Sequence, residues 1–318
     1  MGQFLHPHRA QIIDFHRFGK ENQFSKRVAS ACTLRDQVQV NAMDVSRDRS
    51  RGLLSLPAEL RIHILEYVFD ETWNQDGFMQ CQGSTGRQSI ILDDKYSASL
   101  KLRPLLTCKQ IYQDGSLLAM NSTHFIARNL FFDVPQRLSI LHQKQIEAIR
   151  HVSFVADDRQ FRKLGNWGAH PFGLQDLRLE TLTIVLHRSS FWHYLFDFTP
   201  DIVKLLRNLQ GVKRFVILRN EALVKGSLKT WYNRLVGLIL KEDHRNRYEM
   251  FPPRLETTWW EWHFDDEGQR IVMDAKPAKL WMDEEEYMQF ILPLMEKLRE
   301  SVESEEWNPD PRARNHYY

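Results

Sequence analysis

The chain has 318 residues, enough for one large domain or two modest ones around a buried core. Hydrophobic residues make up 42% and charged residues 26%, which excludes collagen-like and wholly disordered compositions. Lys plus Arg total 43 against 41 Asp plus Glu, so no single basic field directs the whole chain to nucleic acid.

Residues 1–52 carry nine Lys/Arg and five Asp/Glu without a sustained hydrophobic period. They read as a mobile basic arm. A mitochondrial presequence is the alternative, opposed by the five acidic residues. An arm touching nucleic acid is a third reading. No apolar h-region opens the chain, and its apolar runs, such as 182–186, are too short to span a bilayer. The three cysteines, Cys32, Cys81 and Cys108, form no CxxC pair, which points to a reducing compartment, cytoplasmic or nuclear.

Residues 53–69 predict a short helix. Pro57 presets φ at its start and Glu59 lies in the first turn, where the dipole favours an anion. Leu56, Leu60, Ile64, Leu65 and Val68 follow a 3.6-residue period. That period turns Leu60 and Ile64 toward apolar neighbours, inward or on a partner, and leaves Arg61 and Glu66 exposed. Residues 70–103 hold Gly77, Gly83 and Gly86 and read as an inserted loop with one strand at 89–92. Residues 104–120 predict a second helix, with Leu105, Cys108, Ile111 or Tyr112, and Leu118 on one face and Gly115 as an interruption. A turn and a strand follow at 121–132.

These two helices resemble the F-box-like module of filamentous fungal proteins, in which an LPxELRxxIxxxV helix precedes LLxxCRQIYxEAxxLLYxxNTF. The matching segments are LPAELRIHILEYVF at 56–69 and LLTCKQIYQDGSLLAMNSTHF at 105–125. Asp114-Gly115-Ser116 and Met120-Asn121 depart from the pattern. The resemblance implies a protein partner, the adaptor subunit of a cullin–RING ubiquitin ligase, contacted through Leu56, Pro57, Leu60 and Ile64. The other reading is that the helices cap the domain behind them.

Behind the module, residues 149–154, 179–184 and 212–217 share the pattern apolar-x-x-apolar-x-apolar, similar to a degenerate leucine-rich repeat. Asp157, His187 and Asn220 stand three residues beyond each. The segments 151–156, 181–186 and 214–218 are expected to be neighbouring parallel strands joined by helices. One such helix covers 200–210, with Thr199 as N-cap, Pro200 at N1 and Gly211 past its end. Another spans 227–241. Residues 258–274 predict a hairpin with Trp260, Trp262 and Phe264 on one face and a turn at Asp266-Glu267-Gly268. Residues 281–306 predict an acidic surface helix, nine acidic residues against two basic, interrupted near Pro293.

The expected fold is therefore α+β or α/β: an arm (1–52), an F-box-like helical module (53–130), an irregular helix–strand recognition domain with a short parallel sheet and a C-terminal hairpin (131–280), and an acidic helix with a tail (281–318). No nucleotide-binding or nucleophile-elbow motif occurs. His187, His193 and Asp197 lack metal-site spacing, and Cys108 reads as a buried, inert thiol. No residue is assigned to catalysis, a cofactor or a metal. The sequence points to a non-catalytic protein-interaction protein, a substrate receptor for ubiquitin transfer. The alternatives are a scaffold unrelated to ubiquitin and an enzyme whose site is assembled from dispersed residues.

Overall fold

The computed structural model describes residues 52–70, 76–82, 88–130, 133–188, 191–192, 195–224 and 227–306. All of the expected arm except Gly52, the stretch Gly83–Gly86, His193 and the tail from 307 lie outside them. The fold is mixed α/β around a six-stranded mixed sheet.

A 3-10 turn at Leu53–Ser55 leads into helix α1 (Ala58–Asp70), where the Pro57 carbonyl accepts the Arg61 N–H at 3.1 Å. The segment expected as a loop holds an antiparallel hairpin of β1 (Phe78–Gln82) and β2 (Gln88–Leu92), then a one-turn helix α2 (Ala98–Lys101). A second 3-10 turn, Arg103–Leu106, precedes α3 (Lys109–Ser122).

Two expectations for α3 are corrected. Cys108 is not on its apolar face but at its N-cap, the thiol accepting the Ile111 N–H at 3.5 Å, because the helix begins one residue later. Gly115 does not interrupt it. A Cβ at Gly115 would meet Leu65 Cδ1 at 3.0 Å and Phe69 Cε2 at 3.3 Å, so the missing side chain lets α1 and α3 approach closely.

After Thr123 alone the chain enters β3 (His124–Ala127), an edge strand of the main sheet. Short helices α4 (Val134–Leu138) and α5 (Gln143–Ala148) lead to β4 (His151–Ala156), and α6 (Asp158–Leu164) follows, capped by Asp157 accepting the Gln160 N–H. Next come β5 (Leu179–Leu186), a short β6 (Phe191–Trp192), α7 (Thr199–Asn208), β7 (Val212–Leu218) and a short β8 (Leu223–Val224) parallel to β6. The strands β3, β4, β5 and β7 run parallel and adjacent, in chain order, with Phe154 opposite Ile184 and Ile184 opposite Ile217. The three segments sharing one pattern are thus neighbouring parallel strands.

Thr199 lies inside α7 rather than capping it. Its hydroxyl accepts the indole N–H of Trp231 at 2.9 Å, a buried partner worth more to the core than a cap. Asn220 bonds across the strand ends, donating to the Leu186 carbonyl at 3.2 Å and accepting the Leu92 N–H at 3.0 Å. Helix α8 (Leu228–His244) is capped by Ser227 and buries Leu228, Trp231, Leu235 and Ile239.

The hairpin β9 (Thr258–Asp265) and β10 (Arg270–Pro277) extends the sheet antiparallel beside β7, so the expected short parallel sheet is part of a larger mixed one, four of its six strands being parallel. Its turn includes Gln269 in the left-handed region, φ 49°. Helix α9 (Glu284–Glu306) runs through Pro293 without a break. Pro293 and Gln289, four residues before it, are both exposed, so the proline, which forfeits one helical bond, sits on the solvent side of the helix.

Burial divides the sheet into two faces. Val152, Phe154, Ile184, Phe215, Ile217 and Ile271 join one apolar cluster with residues of α6, α7, α8 and α9. Leu65 and Phe69 of α1 and Ala119 and Met120 of α3 belong to that same cluster. On the other face, Ile126, Val155, Val185 and Leu218 pack under Leu92, Phe78 and Ile90 of the β1–β2 hairpin. The inserted segment therefore covers the face on which, among the described residues, no helix packs.

Candidate functional site

Helix α1 is apolar on two sides. Leu65 and Phe69 point into the core against α3. Leu60 and Ile64 point outward, 52% and 37% exposed, and Tyr67 and Val68 continue the same side at the i+7 and i+8 positions. Leu60 and Ile64 thus do not turn inward, and of the two expected outcomes only a partner's surface is left for them. The 3.6-residue period merges the two sides because Ile64 and Leu65 are adjacent in sequence. Leu56, at the start of the motif, is half-buried, and Pro57 is exposed. Leu54, in the turn before them, is also bare. The four candidates thus lie along one stretch and helix side, and Leu54, Tyr67 and Val68 extend it.

Arg61 corrects an expectation. Its side chain is mostly covered, with Nε 2.7 Å from Asp114 Oδ2 on α3 and Nη1 2.5 Å from the Leu56 carbonyl. Gln110 also donates to Asp114. The hydrogen bond from Arg61, aided by Gln110, holds the Asp114 carboxyl below its usual range. Glu66 is exposed as expected, close to His63 Nδ1 at 3.1 Å.

Two polar clusters lie elsewhere. His124 Nε2 is 2.6 Å from Ser153 Oγ, but both residues are buried, and burial lowers the imidazole to about 3, reinforced by His151 and Lys101. A neutral histidine beside serine resembles a catalytic pair in composition, yet no substrate reaches a hydroxyl with no exposed surface.

The second cluster joins Arg207, Asp243, Arg247, Glu256 and Lys279. Arg207 and Arg247 donate to Asp243 Oδ1 at 2.9 and 3.3 Å, and Arg247 Nη2 reaches both Glu256 oxygens at 2.8 and 2.9 Å. Lys279 Nζ sits 2.8 Å from Asp243 Oδ2, 3.1 Å from Glu256 Oε1 and 3.1 Å from the Trp259 ring centroid. Its ammonium is held by charge and the ring face rather than by aligned hydrogen bonds. The Tyr287 hydroxyl donates to Asp243 Oδ2 at 2.8 Å. Burial raises Asp243, but Lys279 and Tyr287 outweigh it and hold the carboxyl well below its usual range. Burial lowers Lys279 despite both carboxylates. This network clasps the end of α8, the approach to β9 and the start of α9.

Cys81 and Cys108 are free thiols. Among the described residues no group of His, Cys, Asp and Glu is arranged to hold a metal ion, and no helix is long and apolar enough to cross a membrane. No family model, no curated protein and no solved structure matches the chain.

Proposed function

We propose that the chain is a non-catalytic protein-interaction protein acting in the cytoplasm or nucleus. Its helices α1 and α3 act as an F-box-like module, docking through Leu56, Pro57, Leu60 and Ile64 on the adaptor subunit of a cullin–RING ubiquitin ligase. The helix–strand domain behind them receives the target.

The observation that supports this reading is the bare side of α1. Leu60, Ile64 and Val68 remain in solvent although Leu65 and Phe69 on the same helix are buried. Full burial of each such side chain contributes roughly 1.5–3 kcal/mol, so a matching apolar groove on a partner is favoured. Arg61 and Asp114 fix the helix so that this side faces out. A specific observation also favours a second reading, a scaffold unrelated to ubiquitin. The inner residues of α1 and α3 share the core of the sheet, as helices that only cap a domain would.

Copurification of the full chain with purified adaptor separates the two. The first reading expects a stable complex that Leu60→Asp abolishes, since an unpaired charge in an apolar contact costs several kcal/mol. Because Leu60 is solvent-exposed in the free chain, the substitution should leave the thermal melting unchanged. Absence of any complex at micromolar concentration leaves the scaffold reading standing.

A further inference from the structure

Helix α9 is apolar on two sides. Tyr287, Ile291, Leu294 and Leu298 meet the core, which is the stripe a helix needs to close a domain. Met288, Leu292, Met295 and Val302 form a second stripe, and all four are exposed, Leu292 at 54% and Met295 at 44%. With about 100° between successive residues, these four and Arg299 fall within a sector about 80° wide and about 21 Å long. From Met288 to Val302 the steps are four, three, four and three residues, the alternation of the a and d positions of a coiled coil. Arg299 holds one a position with its side chain in solvent, 3.9 Å from Glu303. The two edges of this seam differ. One is the packed side, and the other carries Glu285, Glu296 and Glu303, all exposed. Among the described residues no cation from another element pairs with these three; Arg299, on α9 itself, is the one that reaches this edge.

That asymmetry selects the occupant. An antiparallel second copy of α9 would set one carboxylate edge against the other, and a parallel copy would need the flank that is already packed on the core. An apolar groove without cations would desolvate the glutamates and leave them unpaired. We propose that α9 docks one helix of a partner protein. That helix is amphipathic, with an apolar heptad seam and Lys or Arg along the flank that meets Glu285, Glu296 and Glu303. The surface lies on a different helix from the adaptor surface of α1, and the proposal does not rest on the adaptor reading. Methionine at two of the four apolar positions lets the seam adapt to the side chains it receives. Arg299 weakens docking of an entirely apolar seam and so selects a partner by register, as a single polar a position does in coiled coils.

The test is fluorescence anisotropy of a labelled synthetic helix of about three heptads, leucine at a and d and lysine at e and g, titrated with the full chain. The lysine flanks keep the probe from pairing with itself. One control probe has glutamate at e and g, and another has the lysine probe's composition in scrambled order. The proposal expects the lysine probe to bind and both controls to bind about tenfold more weakly or not at all. Leu292→Ser/Met295→Ser and, separately, Glu296→Gln/Glu303→Gln should each weaken the lysine probe about tenfold, with unchanged melting temperatures confirming the fold. Arg299→Leu and Arg299→Gln remove the same charge, so contact along the seam should make the leucine variant the tighter binder, by about fivefold. Should the double serine variant melt early, Met288→Ser takes its place with the same direction of change. No binding of the lysine probe, equal binding of the scrambled probe, undiminished binding by the serine variants, or equal affinity of the two Arg299 variants overturns the proposal.

Discussion

Arg61 and Asp114 stand 2.7 Å apart across the contact between α1 and α3, and the same guanidinium holds the Leu56 carbonyl. One planar cation thus ties the turn before α1 to the middle of α3. The pair constrains the roll of α1 against α3 and thereby which apolar side is left in solvent. Asp114→Ala should lower the melting temperature more than Asp114→Asn, which still accepts from Arg61. Arg61→Lys should behave like a loss, because a point charge cannot bridge both acceptors. Thermal unfolding of the three variants checks the order.

Gly115 supplies the second constraint on that contact. Gly115→Val places branched methyls where a single Cβ already meets Leu65 and Phe69. Overpacking of this kind costs about 1–3 kcal/mol, even though valine is the better helix former by a smaller amount. Denaturant unfolding should show that loss, and the smaller variant Leu65→Ala combined with Gly115→Val should recover part of it.

His124 makes stability depend on pH. Burial holds its folded value near 3, below the unfolded value of 6.5. Below pH 6.5 the unfolded chain therefore binds a proton that the folded chain refuses, and stability falls by about 1.4 kcal/mol per pH unit as pH drops toward 3. The groups facing the imidazole are Ser153, His151, Lys101 and the Phe78 ring, and none of these is a carboxylate that would offset the charge. Between pH 6.5 and 4.5, above the main carboxylate range, His124→Gln should show a shallower slope than the wild type. Denaturation midpoints at five pH values measure it.

The buried ion cluster has three cations and two carboxylates, and its members should not respond alike. Asp243→Asn leaves Arg207, Arg247 and Lys279 with one carboxylate among them, and breaking a buried pair typically costs about 3–5 kcal/mol. Lys279→Met removes the surplus cation, keeps the contact with the Trp259 ring face and leaves two cations with two anions. It should cost about 1 kcal/mol or less. Equal losses for the two variants would show that the cluster does not work through charge balance.

The parallel strands were legible because the apolar pattern of residues 149–154 recurs at 179–184 and 212–217, and a repeated register on one sheet face demands it. The side of α1 was not legible. Leu60, Ile64 and Val68 match a helical period as well as Leu65 and Phe69 do, and only Gly115 on a distant helix marks which side is approached closely. Thr199 looks like a cap until Trp231, on another helix, takes its hydroxyl. Pro293 reads as a break, yet an exposed position lets the helix continue. The ion cluster escaped notice because Arg207, Asp243, Arg247, Glu256 and Lys279 come from separate segments, and no local pattern relates them. The hairpin at 78–92 was obscured by the glycines between its strands.

Calorimetric titration of the full chain with purified adaptor reads out the proposed docking of the outer side of α1. The wild type should bind with micromolar or tighter affinity. Leu60→Asp and Ile64→Asp should each weaken it at least a hundredfold, about 2.7 kcal/mol, while Leu292→Asp on α9 leaves it unchanged. No binding heat from the wild type at micromolar concentration, or a loss with Leu292→Asp but not with Leu60→Asp, would show that this side of α1 is not an adaptor-binding surface.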